Sequence, residues 1–148
     1  MSQEFKKPEL LAPAGDMERL KAAVKYKADA VYLGGSVFGM RTAPQNFNET
    51  ELKKACDYCH ERNVKVYQTV NTLPRNSELP LLPAFLEKAQ ESGVDAFIVS
   101  DLGVMEYAKK YAPKVELHVS TQAGIVNYAS ANAFYKLGAK RIVTAREL

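Results

Sequence analysis

The residues best placed to do chemistry are polar side chains that follow short apolar runs: Asp16, Asn71, Ser100 and Asp101, Ser120 and Gln122, and Arg146 and Glu147. A thirteen-residue connection from Gly35 to Phe47 adds Arg41 and Asn46. Where short strands alternate with helices, ligands gather at the C-terminal strand ends and in the loops after them. We take His118, Asp101 and Gln122 as catalytic candidates. Arg41, Asn46, Asn71, Ser100, Ser120, Arg146 and Glu147 are the substrate-binding candidates. The two arginines suit carboxylates, which a guanidinium holds through paired hydrogen bonds.

Each candidate has a structural alternative. Asp16 and Asp101 stand where a helix N-cap belongs. Gly34 and Gly35 meet backbone geometry as readily as ligand approach. His118 reads equally as a hydrogen-bonded interior histidine, and Arg146 with Glu147 as a surface pair. Cys56-Asp57-Tyr58-Cys59-His60 spells the haem-attachment string C-x-x-C-H. Helical spacing nevertheless puts Leu52, Ala55, Cys56 and Cys59 on one apolar face, so the thiols read as small core residues. No metal site is expected. His60-Glu61-Arg62 lacks the second histidine of a zinc protease motif, and neither histidine accompanies a recognisable nucleophile motif.

These positions depend on the elements around them. Strands are expected near Leu10 to Pro13, Ala30 to Gly34, Val64 to Asn71, Ala96 to Ser100, Glu116 to Thr121 and Arg141 to Ala145. Helices are expected near Met17 to Lys27, Glu49 to Arg62, Leu79 to Ser92, Leu102 to Tyr111 and Tyr128 to Leu137. Asp16, Asn48, Ser77, Asp101 and Asn127 are the N-cap candidates, while Gly93, Pro113 and Gly138 mark helix ends. Strand alternation turns Leu117, Val119 and Thr121 toward the helices and Glu116, His118, Ser120 and Gln122 inward. It likewise puts Tyr67, Thr69 and Asn71 on one face. Recurrent helix-to-strand junctions, such as Lys27-Ala28-Asp29-Ala30 and Ser92-Gly93-Val94-Asp95-Ala96, repeat the same short turn.

The order of elements gives a parallel α/β array. That order fits a doubly wound open sheet as well as a barrel, and the absence of a G-x-G-x-x-G or a P-loop lysine after the first strand tips the balance only slightly toward a partial TIM barrel with about six strands and five helices. Six strands fall short of the eight that close such a barrel, so open sheet edges invite self-association. The 148 residues are 47% hydrophobic and 25% charged with a formal net charge of +3, the makeup of an ordinary globular domain. No charge run marks a nucleic-acid tail, and the N-terminus lacks the apolar stretch of a signal peptide. A cytoplasmic protein with no membrane partner is the expectation. Two cysteines three residues apart cannot staple the fold.

Six segments, in order along the chain, carry a resemblance: Glu9-Leu10-Leu11-Ala12-Pro13-Ala14-Gly15, Ala28-Asp29-Ala30-Val31-Tyr32, Val70-Asn71-Thr72, Val99-Ser100-Asp101-Leu102-Gly103, His118-Val119-Ser120-Thr121-Gln122 and Ala145-Arg146-Glu147-Leu148. Together they resemble the collagenase-like peptidase family, the thirty-second family among peptidases of unknown catalytic type. The resemblance implies a barrel-like fold and two activities. One is prephenate-dependent hydroxylation of a transfer RNA uridine or a ribosomal RNA cytidine, with prephenate as co-substrate. The other is a peptidase acting on collagen-like substrates. It also implies that residues 1–148 are the N-terminal portion of one longer barrel domain, with any iron-sulfur ligands beyond Leu148. A third reading is an inactive fragment acting as a self-associating module.

Overall fold

A computed structural model describes residues 7–40 and 47–148. The chain runs β1 (Leu11–Pro13), α1 (Met17–Lys25), β2 (Ala30–Gly34), α2 (Glu49–His60), β3 (Lys65–Val70), α3 (Leu82–Ser92), β4 (Ala96–Val99), α4 (Leu102–Tyr111), β5 (Glu116–Val119), α5 (Tyr128–Lys136) and β6 (Arg141–Ile142). All six strands are parallel and lie in sequence order, so each strand pairs only with its sequence neighbours. The right-handed crossover that parallel neighbours require puts the helices on one face. The expected half-barrel is the observed fold.

Helix starts follow local chemistry. Asp16, Asn48, Asp101 and Asn127 each accept a hydrogen bond from a backbone N–H in the first turn of α1, α2, α4 and α5. Asn48 and Glu51 complete a reciprocal capping box. The expected cap at Ser77 does not form. A short 3₁₀ turn, Leu79–Leu81, precedes α3 instead, and neither has a side-chain cap. The Glu78 and Leu79 N–H groups that follow Ser77 donate instead to the Arg75 carbonyl, at 2.8 and 3.2 Å, and Pro80 after them has no N–H to offer, while Leu81, at the start of α3, has no side-chain acceptor. Glu78 serves the segment differently, accepting from the Arg75 N–H at 2.8 Å. Gly93, in a left-handed conformation with φ of 98°, ends α3 as expected.

Strand alternation sorts the side chains into two layers. Val31, Leu33, Val66, Val70, Phe97, Val99, Leu117 and Val119 face the helices and pack with Leu20, Leu52, Cys56, Leu86 and Met105. A buried Leu of this kind contributes about 1.5–3 kcal/mol. Ala30, Tyr67, Ala96 and Ile98 form a smaller cluster on the opposite, inner face, with Leu11 and Tyr32 against it. His60 at the end of α2 meets Asp95 at 2.9 Å, and the same Asp95 carboxylate accepts the Val66 N–H at 2.7 Å, tying α2 to β3 and β4. Cys56 and Cys59 are fully buried among these packed side chains.

Candidate functional site

On the inner face, the side chains assemble around Tyr67. Its hydroxyl donates to both carboxylate oxygens of Glu9, at 3.0 and 2.9 Å. Arg141 reaches the same carboxylate at 2.6 and 3.4 Å and lies 5.4 Å from the Tyr67 ring centre. His118 meets that ring edge-on, with centroids 4.7 Å apart, and its Nε2 is 3.3 Å from Glu116. Glu9 precedes β1 and Arg141 opens β6, so their contact crosses the sheet. Flat strands spaced about 4.8 Å apart would put β1 and β6 about 24 Å from each other. A 2.6 Å contact therefore requires the sheet to curl into a trough, with Tyr67 at its centre.

The electrostatics of this cluster follow from its pairing and burial. The Arg141 hydrogen bond holds the Glu9 carboxyl below the ordinary range against the opposing effect of burial. Burial pushes the Tyr67 hydroxyl up to about 12, and acceptance by Glu9 adds to the rise. Desolvation lowers the His118 value, only partly offset by Glu116, so His118 is neutral near pH 7. Glu9 and Arg141, at the N-terminal ends of their strands, did not figure among the sequence candidates. They are 132 residues apart, and alternation within one strand carries no information about such a partner.

At the other end of the strands lies the mouth. Asn71 follows β3, and its Oδ1 accepts the Met40 N–H at 3.1 Å, holding the connection after β2 against β3. Phe38 in that connection has φ of 61°, a left-handed conformation costly for an aromatic residue. The Phe38 carbonyl accepts from both the N–H and the hydroxyl of Thr72, at 3.3 and 3.2 Å, and its ring packs edge-on against Phe85 at 5.2 Å. A Cβ at Gly35 would come within 2.5 Å of Gln68 Nε2 and 3.2 Å of the Phe85 ring, so a larger residue there would force the Gln68 amide to shift. The connection returns at Phe47, which bridges to Gly35 beside β2.

Ser100 and Ser120 stand side by side at the ends of neighbouring strands, the Ser120 N–H donating to the Val99 carbonyl at 2.7 Å. The Ser100 hydroxyl oxygen is buried and has no hydrogen-bond partner among the described residues. An unpartnered buried hydroxyl costs about 1–3 kcal/mol, which a bound polar ligand would offset. Asp101 accepts the Val104 N–H at 3.0 Å and caps α4, leaving its second oxygen available. Arg146 and Glu147 follow β6, are exposed, and form no ion pair with each other among the described residues. Arg41 and Asn46 lie outside the described residues.

Thus the structure brings Asn71, Ser100, Asp101 and Ser120 to one end of the trough and puts His118 deeper in it, two residues below Ser120. Gln122 departs from expectation. Strand β5 ends at Val119, and Thr121–Ala123 form a 3₁₀ turn capped by Ser120, so alternation stops and Gln122 is exposed instead of facing inward. Its N–H, 3.4 Å from the Ser120 hydroxyl, is what links it to the mouth. Gln68 is a polar residue that sequence reasoning passed over. It is buried on the helix-facing side of β3, and its Oε1 has no partner among the described residues.

Such a mouth can hold polar groups by hydrogen bonding. Among the described residues, no serine or cysteine is paired with an imidazole, because His118 engages Glu116 and His60 engages Asp95. Burial pushes the Cys56 thiol up to about 12 and the Cys59 thiol up to about 11, so neither is a ready nucleophile or metal ligand. No group of three or more His, Cys, Asp or Glu side chains among the described residues is disposed to hold a metal ion. The two thiols in α2 do not fit an iron-sulfur cluster. No described helix is long and apolar enough to cross a membrane.

Comparison with known proteins adds a family. The chain is 48% identical over 141 residues to tRNA hydroxylation protein P of Helicobacter pylori, an alignment covering 95% of this chain and 33% of the relative. It is 40% identical over 141 residues to a collagenase of Porphyromonas gingivalis, covering 95% and 33%. A 23S rRNA 5-hydroxycytidine synthase of Escherichia coli is 36% identical over 140 residues, covering 95% and 21%. The chain thus spans about a third or less of the length of these relatives. Among solved structures, a U32 peptidase superposes with a TM-score of 0.76 at 19% identity, over 97% of this chain and 61% of that one, which shows the fold. The model of peptidase family U32 matches residues 15–148, and the chain belongs to that family.

Proposed function

We propose that the chain forms part of the site of an RNA-hydroxylating enzyme, acting on a transfer RNA uridine or a ribosomal RNA cytidine. The observation that carries the reading is the 48% identity, across nearly the whole chain, to a tRNA hydroxylation protein. The mouth supports it in kind: Asn71, Ser100 and Ser120 offer neutral donors and acceptors suited to a nucleobase edge or a co-substrate. Replacing C–H by C–OH is a two-electron oxidation and needs an oxidant and an oxygen source. The described residues supply neither, so the role assigned to them is binding and orientation. Prephenate as co-substrate belongs to the same reading, with Arg146 and Arg41 as carboxylate partners. The 148 residues are then part of one barrel domain in a cytoplasmic protein, and the singly paired strands β1 and β6 are edges open to further contacts.

The test is deletion of the gene in its host, followed by mass spectrometry of nucleosides from purified transfer RNA and ribosomal RNA. Loss of a hydroxylated uridine or cytidine, restored by the intact gene and not by a Ser100→Val, Ser120→Ala double variant, is expected. Unchanged hydroxylation in a strain without a second family member refutes the reading. A peptidase reading rests on the collagenase relative. Gelatin cleavage by the purified protein, lost in the same double variant, would favour it instead.

A further inference from the structure

At the end of the sheet away from the mouth, the last turns of α4 and α5 and the connections after them carry Lys109, Lys110, Lys114, Lys136 and Lys140. The two stretches that hold them, 102–116 and 128–140, contain two acidic residues, Glu106 and Glu116. This corner accordingly carries a net charge equal to the +3 of the entire chain, and the remainder balances. Lys109, Lys114 and Lys140 line, together with Glu116, a single cleft of about 220 Å³ between the end of α4 and the start of β5, three cations against one carboxylate. The Lys109 stem reaches toward the next turn, so that a Cβ on Gly138 would lie 3.9 Å from its Cδ. The Lys140 N–H donates to the Leu117 carbonyl at 2.8 Å, fixing that turn beside β5.

Helix electrostatics explain part of this pattern. Lys109, Lys110 and Lys136 occupy the last turns of α4 and α5, where a cation is favoured by the helix dipole. Lys114 and Lys140 lie beyond the helices, and the dipole does not account for them. Lys109 is paired with Glu106 at 2.7 Å, whereas Lys110, Lys114, Lys136 and Lys140 make no ion pair among the described residues. Tyr135, 68% exposed on α5, is the residue before Lys136 in the sequence. Clustered lysines with an exposed aromatic are the features that track a nucleic-acid backbone and stack on its bases.

We infer that this lysine cleft, at the end opposite the mouth, binds the phosphate backbone of the RNA. The inference rests on the proposed RNA substrate for its choice of polyanion. A structured RNA spans far more than one strand-end mouth, and its phosphates need a second, sequence-independent hold on the protein. Phosphate contacts position the nucleic acid while the mouth selects the base. Each lysine that neutralises one phosphate releases a condensed counterion, so binding weakens with salt in proportion to the number of contacts.

Fluorescence anisotropy with labelled bulk transfer RNA tests this on the intact protein across a salt series. The Lys109→Ala, Lys114→Ala, Lys140→Ala triple variant should bind on the order of tenfold to a hundredfold more weakly near 0.1 M salt. Its log–log salt slope should be shallower by roughly 2 to 3. A control variant, Lys54→Ala with Lys88→Ala, should keep the parent slope. Unchanged affinity and slope in the triple variant, with its fold verified by circular dichroism, overturns the inference. So does a triple variant that loses binding only to vesicles containing phosphatidylserine, which would make the patch a membrane-surface site. If the slope falls yet gene deletion leaves RNA hydroxylation intact, the phosphate interface stands and the proposed reaction falls.

Discussion

The contact between Glu9 and Arg141 ties the first strand to the last, and removing it should cost far more than an ordinary surface ion pair. The two side chains are 25% and 38% exposed, so solvent screens them only in part. Glu9 also accepts the Tyr67 hydroxyl, and hydrogen bonds to charged groups contribute about 1.5–3 kcal/mol apiece when partly shielded. An exposed pair would give about 0–1 kcal/mol. Allowing for the remaining solvent contact, Glu9→Ala should destabilise the protein by about 2 kcal/mol. For a chain of this size that lowers Tm by roughly 4–8 °C. Thermal denaturation followed by circular dichroism, on Glu9→Ala, Arg141→Ala and the double variant, gives the coupling directly. We expect a coupling energy of about 1–2 kcal/mol, with the double variant little worse than either single one. Strict additivity, with a coupling under about 0.3 kcal/mol, would refute the argument that this pair holds the curled sheet.

Two further outcomes follow from the inner face and the mouth. His118 titrates below its ordinary value of 6.5 in the folded protein, so the unfolded chain binds more protons as pH falls through that value. Its stabilising contribution is complete above about pH 6.5 and shrinks below it; Tm should fall between pH 7.5 and 5, and His118→Gln should flatten that stretch of the profile. At Asp101, the cap and any contact with substrate separate by substitution. Asp101→Ala should cost about 1 kcal/mol and Asp101→Asn much less, because an amide oxygen still accepts from Val104. Under the proposed function, hydroxylation assayed in the Asp101→Asn protein then reports on the carboxylate alone, and full activity there would remove Asp101 from the chemistry.

Much of the architecture could be read from local pattern. Apolar spacing in Leu82, Phe85, Leu86 and Ala89 and the side-chain oxygens of Asp16, Asn48, Asp101 and Asn127 act within a few residues, which a linear reading captures. Ser77 misled because a good cap residue matters only if the following turn has free N–H groups, and here the Arg75 carbonyl takes those of Glu78 and Leu79 while Pro80 has none. Gln122 misled for a related reason: alternation holds only while the strand lasts, and Ser120 ends it by capping a 3₁₀ turn. The left-handed Phe38 runs against its own backbone preference and is held by Thr72 and Phe85 from elsewhere in the fold. Nothing near Glu9 in the sequence identifies Arg141 as its partner. Contacts at such separation are properties of the completed sheet.

The strictly sequential order of the strands also governs how the chain can assemble. Each βα unit adds to the edge left by the unit before it, so most pairing is between near neighbours and the loop-closure entropy of each step is small. A ribosome releasing the chain from its N-terminus presents the units in the order in which they stack. The bond from Glu9 to Arg141 is different, spanning 132 residues, and it can form only after β6 has emerged. Until then the nascent sheet lacks this tie between its ends. Arrival of the sixth strand converts a growing ribbon into a curved enclosure.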